Sequence, residues 1–216
     1  ELGTRPIDLH LSALRQLGME IIEERGRLEC KVNGRLKGTT IALSFPSVGA
    51  TENILLASVT AEGTTSILNA AREPEIIDLC KYLSRCGARI SGAGESAVTV
   101  EGVDTLYGCS HAVMPDRIET VTYMAAAAIT GGSLVLKSVN PEHIATVLPA
   151  FEEAGCNIIS SDGEISIVSP KRLHRIRSVR TMPYPGFPTD AQAPTMAMVT
   201  VADGTSVFIE NIFESR

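Results

Sequence analysis

Three amphipathic segments each close on a glycine that leads into a short strand: LSALRQLGMEI at Gly18, LCKYLSRCGARI at Gly87 and LPAFEEAGCNI at Gly155. A second series runs between them, with TAEGTTSILN at Gly63, AITGGSLVLK at Gly132 and TVADGTSVFIE at Gly204. Both series recur about every seventy residues, too long for one solenoid turn and long enough for two helices with their strands. The pattern predicts a small α/β unit used repeatedly inside a globular fold. The chain starts in the back half of one unit and stops in the front half of another, so we expect an internal part of a longer protein. The lack of an initiator methionine and of a signal peptide supports the same expectation.

Composition narrows the class. Hydrophobic residues make up 44% of the 216 and charged residues only 20%, a balance that belongs to folded proteins. No apolar run approaches the ~20 residues a membrane span needs. A net charge of −6 argues against nucleic acid as a bulk electrostatic partner, while leaving room for a local basic pocket around a phosphorylated ligand. The five cysteines (Cys30, Cys80, Cys86, Cys109, Cys156) have neither CxxC nor Cys/His ligand spacing. Reduced, mostly buried thiols of a cytosolic protein are expected, and no structural zinc.

Apolar spacing and glycine stops predict helices over Leu9–Gly18, Ala50–Glu62, Pro74–Gly87, Asp116–Thr130, Pro141–Gly155 and Asp190–Ala202. Strands are expected at Glu20–Glu23, Leu28–Val32, Thr40–Ser44, Thr65–Leu68, Val98–Val100, Leu134–Lys137, Ile165–Val168 and Ser206–Ile209. The stretches Thr122–Ile129 and Asn53–Val59 have so little polar surface that their helices should be buried inside a domain. A domain crossing is expected near Met114–Pro115, where periodicity lapses.

Four stretches could carry chemistry. In Gly3–His10, Pro6 biases Arg5 toward extended backbone, and Asp8 falls where it can cap the next helix. That is either a tidy helix start beside a solvated arginine, or an arginine aimed at an anion near a helix N-terminus. In Phe45–Asn53, Ser47 and Gly49 at a strand-to-helix junction expose backbone N–H groups to an anion, though Ser47 serves equally well as a plain N-cap. In Ala70–Ile76, the helix dipole alone accounts for an acidic first turn that includes Glu75. In Pro183–Asp190, three prolines and a glycine stiffen a turn that delivers Asp190 to an apolar helix, as an N-cap or as a pre-positioned catalytic group. His10, His111, His143 and His174 share no site-like spacing. No Ser/His/Asp order, GxGxxG or GKS/T motif supports a hydrolase, Rossmann or P-loop protein.

The pieces TRPIDLH, GRLKGTTI, PSVGATENI, AEGTT, NAAREPEI, GARISG, PDRIET and FPTDAQA span nearly the whole chain. In that order they resemble the UDP-N-acetylglucosamine 1-carboxyvinyltransferase family, a branch of the enolpyruvyl transferases. The resemblance implies an α/β fold of two inside-out barrels, each built from three βαβαββ units around buried helices. Residues 1–114 would form part of the first barrel and 115–216 part of the second. It implies transfer of enolpyruvyl from phosphoenolpyruvate to the 3-hydroxyl of UDP-N-acetylglucosamine, with phosphate released. That is the first committed step of peptidoglycan synthesis in the bacterial cytoplasm, and it uses no metal or redox cofactor and no nucleic-acid or membrane partner.

Carried over by resemblance, Arg5, Pro6, Ile7, Asp8 and Leu9 would hold the uridine and phosphate end, with Arg5 also close to phosphoenolpyruvate. Ser47, Val48 and Gly49 would meet the diphosphate. Asp190 would hydrogen-bond the attacking hydroxyl and is the candidate base, and Ile212 would touch substrate through its backbone. Glu75 and Arg216 are weaker carry-overs. The family's catalytic cysteine falls just ahead of the segment matching ELGTRPID, and its Lys-Asn pair and later clamping arginines have no counterpart here. Some members carry lysine where this chain has Phe45. About half the site is then implied, in a chain expected to show no turnover without the missing remainder. The alternatives are a non-catalytic sugar-nucleotide binder, a protein-binding repeat scaffold, and an enzyme like enolpyruvylshikimate phosphate synthase, against which TRPID and FPTDAQ weigh.

Overall fold

The glycine that closes each amphipathic segment takes left-handed backbone, with φ of 94° at Gly18, 103° at Gly87 and 94° at Gly155. A Cβ disfavours that region, so each helix stops there and the next strand begins. In the second series Gly63 and Gly204 are also left-handed, but they follow helices that end earlier than expected, at Ser58 and Val199. The left-handed glycine of the middle segment is Gly131 at φ 68°, not the expected Gly132. Of two adjacent glycines, backbone geometry selects the first, and composition cannot tell them apart.

The computed structural model describes residues 6–213, in two compact units that divide between Val113 and Met114. In the first, α1 (Asp8–Gln16) leads to the hairpin β1 (Glu20–Glu24) and β2 (Arg27–Lys31). A complete βαβαββ unit follows: β3 (Thr40–Ala42), α2 (Val48–Ser58), β4 (Thr64–Leu68), α3 (Pro74–Arg85), β5 (Arg89–Ser91) and β6 (Ala97–Glu101). Its sheet order is β3-β4-β6-β5, with β3 parallel to β4 and the other pairs antiparallel. Thr65 and Ile67 on β4 are buried beside Val98 and Val100 on β6, the period-two pattern of a sheet covered on one face. Leu17, Ile41, Ile54, Leu55 and Ile76 complete that core.

The second unit repeats the theme. In it, α4 (Arg117–Ile129), β7 (Ser133–Lys137), α5 (Leu148–Glu153), β8 (Asn157–Ser161) and β9 (Glu164–Val168) give the sheet order β7-β9-β8, the counterpart of β4-β6-β5. Then β10 (Ser178–Arg180), α6 (Gln192–Val199) and β11 (Val207–Ile209) follow, with β10 parallel to β11 as β3 is to β4. Val121, Met124, Phe151, Ile165 and Ile167 fill its core.

Several expectations need correction. Pro141–Gly155 is not one helix but a 3₁₀ turn, Pro141–Ile144, followed by the shorter α5. Pro149 has no N–H to continue an existing helix and fits only a first turn, so the chain restarts there. The helix expected from Asp190 begins as a 3₁₀ turn over Thr189–Ala191, with α6 proper at Gln192. β10 had no sequence counterpart: only Val179 of its three residues is buried, inside a basic stretch. The apolar helices are not wholly enclosed, since Leu56 of α2 and Tyr123 of α4 are each 52% exposed. Each buries only the side with neighbours, α1, α3 and the sheet for α2, and α6, β7 and β9 for α4.

Candidate active site

Arg5 and Arg216 lie outside the described residues. The Ile7 carbonyl accepts the first helical bond from the Leu11 N–H at 3.0 Å, and α1 starts at Asp8 with no side-chain cap. Asp8 is therefore a first-turn residue and not the expected cap, because the helix begins one residue early; its charge still favours the positive end of the dipole. Pro6, Ile7 and Asp8 are exposed and Leu9 is half-buried.

The helix packing brings this stretch to the start of α2. His10 Cε1 sits 3.0 Å from where a Cβ on Gly49 would be, and its Nδ1 is 2.6 Å from the Asn53 side-chain nitrogen. Ser47 caps α2, its hydroxyl accepting the Ala50 N–H at 3.3 Å. Val48 and Gly49, as first-turn residues, have N–H groups with no intrahelical acceptor. The capping reading of Ser47 is borne out, and the two first-turn amides stand beside it. Thr51 Oγ1 donates to the Ser47 carbonyl at 2.8 Å and accepts the Ala71 N–H at 3.0 Å, tying the start of α2 to the approach to α3. Glu75 lies in the first turn of α3. Burial first, then the charges of Glu75 and Glu73, raises the pKa of Glu52 on α2.

In the second unit a braced turn presents Asp190. The Met182 N–H donates to the Phe187 carbonyl at 3.0 Å, the Gly186 N–H to the Pro183 carbonyl at 2.8 Å, and Thr146 Oγ1 to the Gly186 carbonyl at 3.1 Å. A Cβ on Gly186 would come within 2.5 Å of Met182 Cβ, so glycine is required for the close approach. The guanidinium of Arg117 lies over the Tyr184 ring, 5.8 Å from its centre. Asp190 emerges exposed in the 3₁₀ turn, and the N-cap position of α6 belongs to Ala191. The capping explanation of Asp190 therefore fails.

Glu210 escaped the sequence reading. Its Oε1 accepts the N–H groups of Ile212 at 2.7 Å and Phe213 at 3.1 Å, while Oε2 accepts the Thr189 hydroxyl at 2.9 Å. One carboxylate therefore fixes both the residue before Asp190 and the backbone of Ile212. Burial alone would raise its pKa, but the bonds from Ile212, Thr181, Thr189 and Phe213 outweigh burial and hold it below the usual range. The available signal was an acidic residue directly after a strand, with no basic partner at helical spacing.

Glu210→Gln keeps the shape and loses the charge, and is expected to cost about 0.5–2 kcal/mol at pH 7. A carboxylate with a lowered folded-state pKa contributes stability that is fully present above the ordinary glutamate value of about 4.3 and is lost as pH falls through the folded value. The difference between wild type and variant in urea unfolding should accordingly close in acid.

A groove of about 320 Å³ opens near the C-terminal ends of α4 and α6, beside Ile129, Pro170, Arg172 and Val201. None of the described candidate residues lines it. Among the described residues, no cluster of three His, Cys, Asp or Glu side chains could hold a metal ion.

The architecture is that of the enolpyruvyl transferases. The enolpyruvyl transferase NikO from Streptomyces tendae superposes on 98% of this chain with a TM-score of 0.84, at 21% identity and over 53% of its own chain. The sequence profile described as EPSP synthase (3-phosphoshikimate 1-carboxyvinyltransferase) matches residues 1–216, and the chain belongs to that family. It is 51% identical over 215 residues to UDP-N-acetylglucosamine 1-carboxyvinyltransferase 1 of Symbiobacterium thermophilum, covering all of this chain and 48% of that protein. Identity is 48% to the protein of the same name from Caldanaerobacter subterraneus subsp. tengcongensis, again across all of this chain and over 51% of the relative. The chain spans about half the length of the curated relatives it matches.

Proposed function

We propose that this chain carries the sugar-nucleotide side of an enzyme that moves the enolpyruvyl group of phosphoenolpyruvate to the 3-hydroxyl of UDP-N-acetylglucosamine and releases phosphate. Such an enzyme commits the sugar to peptidoglycan in the bacterial cytoplasm. The observation that carries the proposal is 51% identity, along the whole chain, to a protein named for that transfer. The open amides at the start of α2, beside the start of α1, supply the anion-binding chemistry the reaction needs.

In this scheme Arg5 and the Pro6–Leu9 backbone hold the uridine and phosphate end, and Arg5 also faces phosphoenolpyruvate. The Val48 and Gly49 amides donate to the diphosphate. Ser47 joins them, because its oxygen accepts within the cap while its proton remains available. Asp190 takes the proton of the 3-hydroxyl as that oxygen bonds to C2 of phosphoenolpyruvate, and a separate general acid, not among this chain's candidate residues, gives a proton to the methylene carbon. The tetrahedral adduct then loses a proton from that carbon together with phosphate, restoring the double bond. Glu210 occupies the Ile212 N–H, so Ile212 presents its carbonyl to substrate. Glu75 and Arg216 make secondary contacts. The remainder of such an enzyme would cover the exposed apolar faces at Leu56, Tyr123 and Met196.

Calorimetric titration of UDP-N-acetylglucosamine into the folded chain tests the proposal. Saturable binding, weakened about tenfold or more by both Arg5→Ala and Asp190→Ala and equivalent to about 1.4 kcal/mol each, is the expected result. A folded chain that binds no nucleotide overturns it, and tighter binding of shikimate 3-phosphate transfers the assignment to the sister enzyme.

A further inference from the structure

We propose that Cys86 and Cys109 form a modification site, a thiol pair that a hydroperoxide converts to a disulfide within the first unit. Their sulfurs lie 3.3 Å apart, although the residues are 23 positions apart in sequence. Cys86 is buried at the C-cap of α3, whereas Cys109 is exposed on the segment that follows β6.

That segment is pinned on both sides of Cys109. The Tyr107 N–H donates to the Cys86 carbonyl at 2.7 Å. Beyond the cysteine, Arg85 Nη1 lies 3.4 Å from the Ser110 carbonyl, and His111 Nε2 lies 3.1 Å from both carboxylate oxygens of Asp78. The His111 ring also meets Tyr82 edge-on at 5.6 Å. Asp78, Tyr82, Arg85 and Cys86 occupy neighbouring positions on the last turns of α3, so one helix face docks the whole segment. The sulfurs must close to the disulfide distance of about 2.05 Å, which side-chain rotation supplies with the flanking backbone already in place.

The remaining thiols lack such a partner. Cys80 and Cys156 are buried singly, and burial pushes the Cys80 thiol up to about 11. Cys30 is exposed on β2. The hydrogen bond to Cys86 is the main cause of a raised pKa at Cys109, with burial and the Cys86 charge adding to it and Arg85 opposing. The raised pKa keeps Cys109 mainly as a thiol at neutral pH, in hydrogen-bond contact with the Cys86 sulfur.

Cys109 is the accessible member and reacts first, as thiolate, on one peroxide oxygen. The S–O bond forms, the O–O bond breaks, and the departing oxygen takes a proton and leaves as water or alcohol. The Cys86 sulfur then attacks the sulfenic sulfur; the S–S bond forms, the S–O bond breaks, and a second water leaves with the thiol proton. Two electrons pass from the two thiols to one hydroperoxide. The product links the end of α3 to the Tyr107–His111 segment.

The test is exposure of the wild-type chain to hydrogen peroxide, followed by non-reducing digestion and mass spectrometry. A peptide pair joined through Cys86 and Cys109, two hydrogens lighter than the reduced pair and separated by dithiothreitol, is expected. In Cys86→Ser, Cys109 should pass on to sulfinic acid, and in Cys109→Ser, Cys86 should stay a thiol. The wild-type digest decides without either variant. Cys30 oxidised while both members remain thiols overturns the proposal, as does wild-type Cys109 reaching sulfinic acid with no link formed.

Discussion

Asp190→Ala, placed in a protein of the relatives' full length that carries this sequence, is expected to lower turnover about 10²–10⁴-fold, the usual contribution of a positioned base. Affinity for the sugar nucleotide should fall much less. The expectation rests on how the residue is held: Asp190 is exposed at the head of a turn that prolines, a tightly packed glycine and a carboxylate-bound Thr189 keep in one shape. A carboxylate held this way would meet a substrate hydroxyl without first ordering its own loop. Asp190→Asn separates its two possible duties, since the amide oxygen still accepts a hydrogen bond but cannot take the proton. Phosphate release as poor in Asn as in Ala identifies proton removal as the duty. Near-normal release in Asn with a deficit in Ala identifies orientation, and unchanged release in both removes Asp190 from the reaction.

The parts of the candidate site that were legible in sequence are those built by local rules. Prolines and a glycine before Asp190 announce a stiff turn whatever the rest of the chain does, and Ser47 ahead of an apolar run announces a cap. Glu210 was illegible because it acts on Thr189 from 21 positions away and on Ile212 and Phe213 through backbone N–H groups, which every residue possesses. The His10–Asn53 contact spans 43 positions and depends on the packing of α1 against α2. Asp8 was misplaced by one residue because the backbone at Ile7, not the side-chain type at position 8, decides where the helix starts.

The fold was legible in the same proportion. Its glycine-to-strand steps and the alternation of helices and strands follow from backbone preferences that recur in each unit. What the repeat could not show was interruption by individual residues, as at Pro149, or a strand as short as β10, in which a single buried Val179 carries the hydrophobic signal. The half-exposed α2 and α4 teach a different lesson. An apolar helix announces that something should cover it, but which of its sides gain neighbours is decided by tertiary packing that the local pattern does not encode.

Arg35→Ala should be the most damaging of the surface substitutions in the first unit, at about 2–4 kcal/mol by urea unfolding. GRLKGTT and AEGTT stood out only as motifs, and the structure joins them. The Arg35 guanidinium donates to the carbonyls of Thr60 at 2.8 Å, Ala61 at 3.3 Å and Val103 at 2.9 Å, and pairs with Asp104 at 2.6 Å. Those carbonyls belong to the chain leaving α2 and the chain leaving β6, so one side chain closes the unit at its far end. The ion pair is the weak part: Asp104 is 92% exposed and solvent screens it, so Asp104→Ala should cost less than about 1 kcal/mol. The carbonyls decide the outcome, because Ala61 is 1% exposed and its orphaned oxygen cannot be fully rehydrated. Space is already exhausted there, since a Cβ on Gly102 would fall 1.7 Å from that same oxygen. Lysine supplies charge without the planar fork, so Arg35→Lys should recover only part of the loss. Equal destabilisation by Asp104→Ala and Arg35→Ala would show that the ion pair, and not carbonyl bridging, holds this end of the unit.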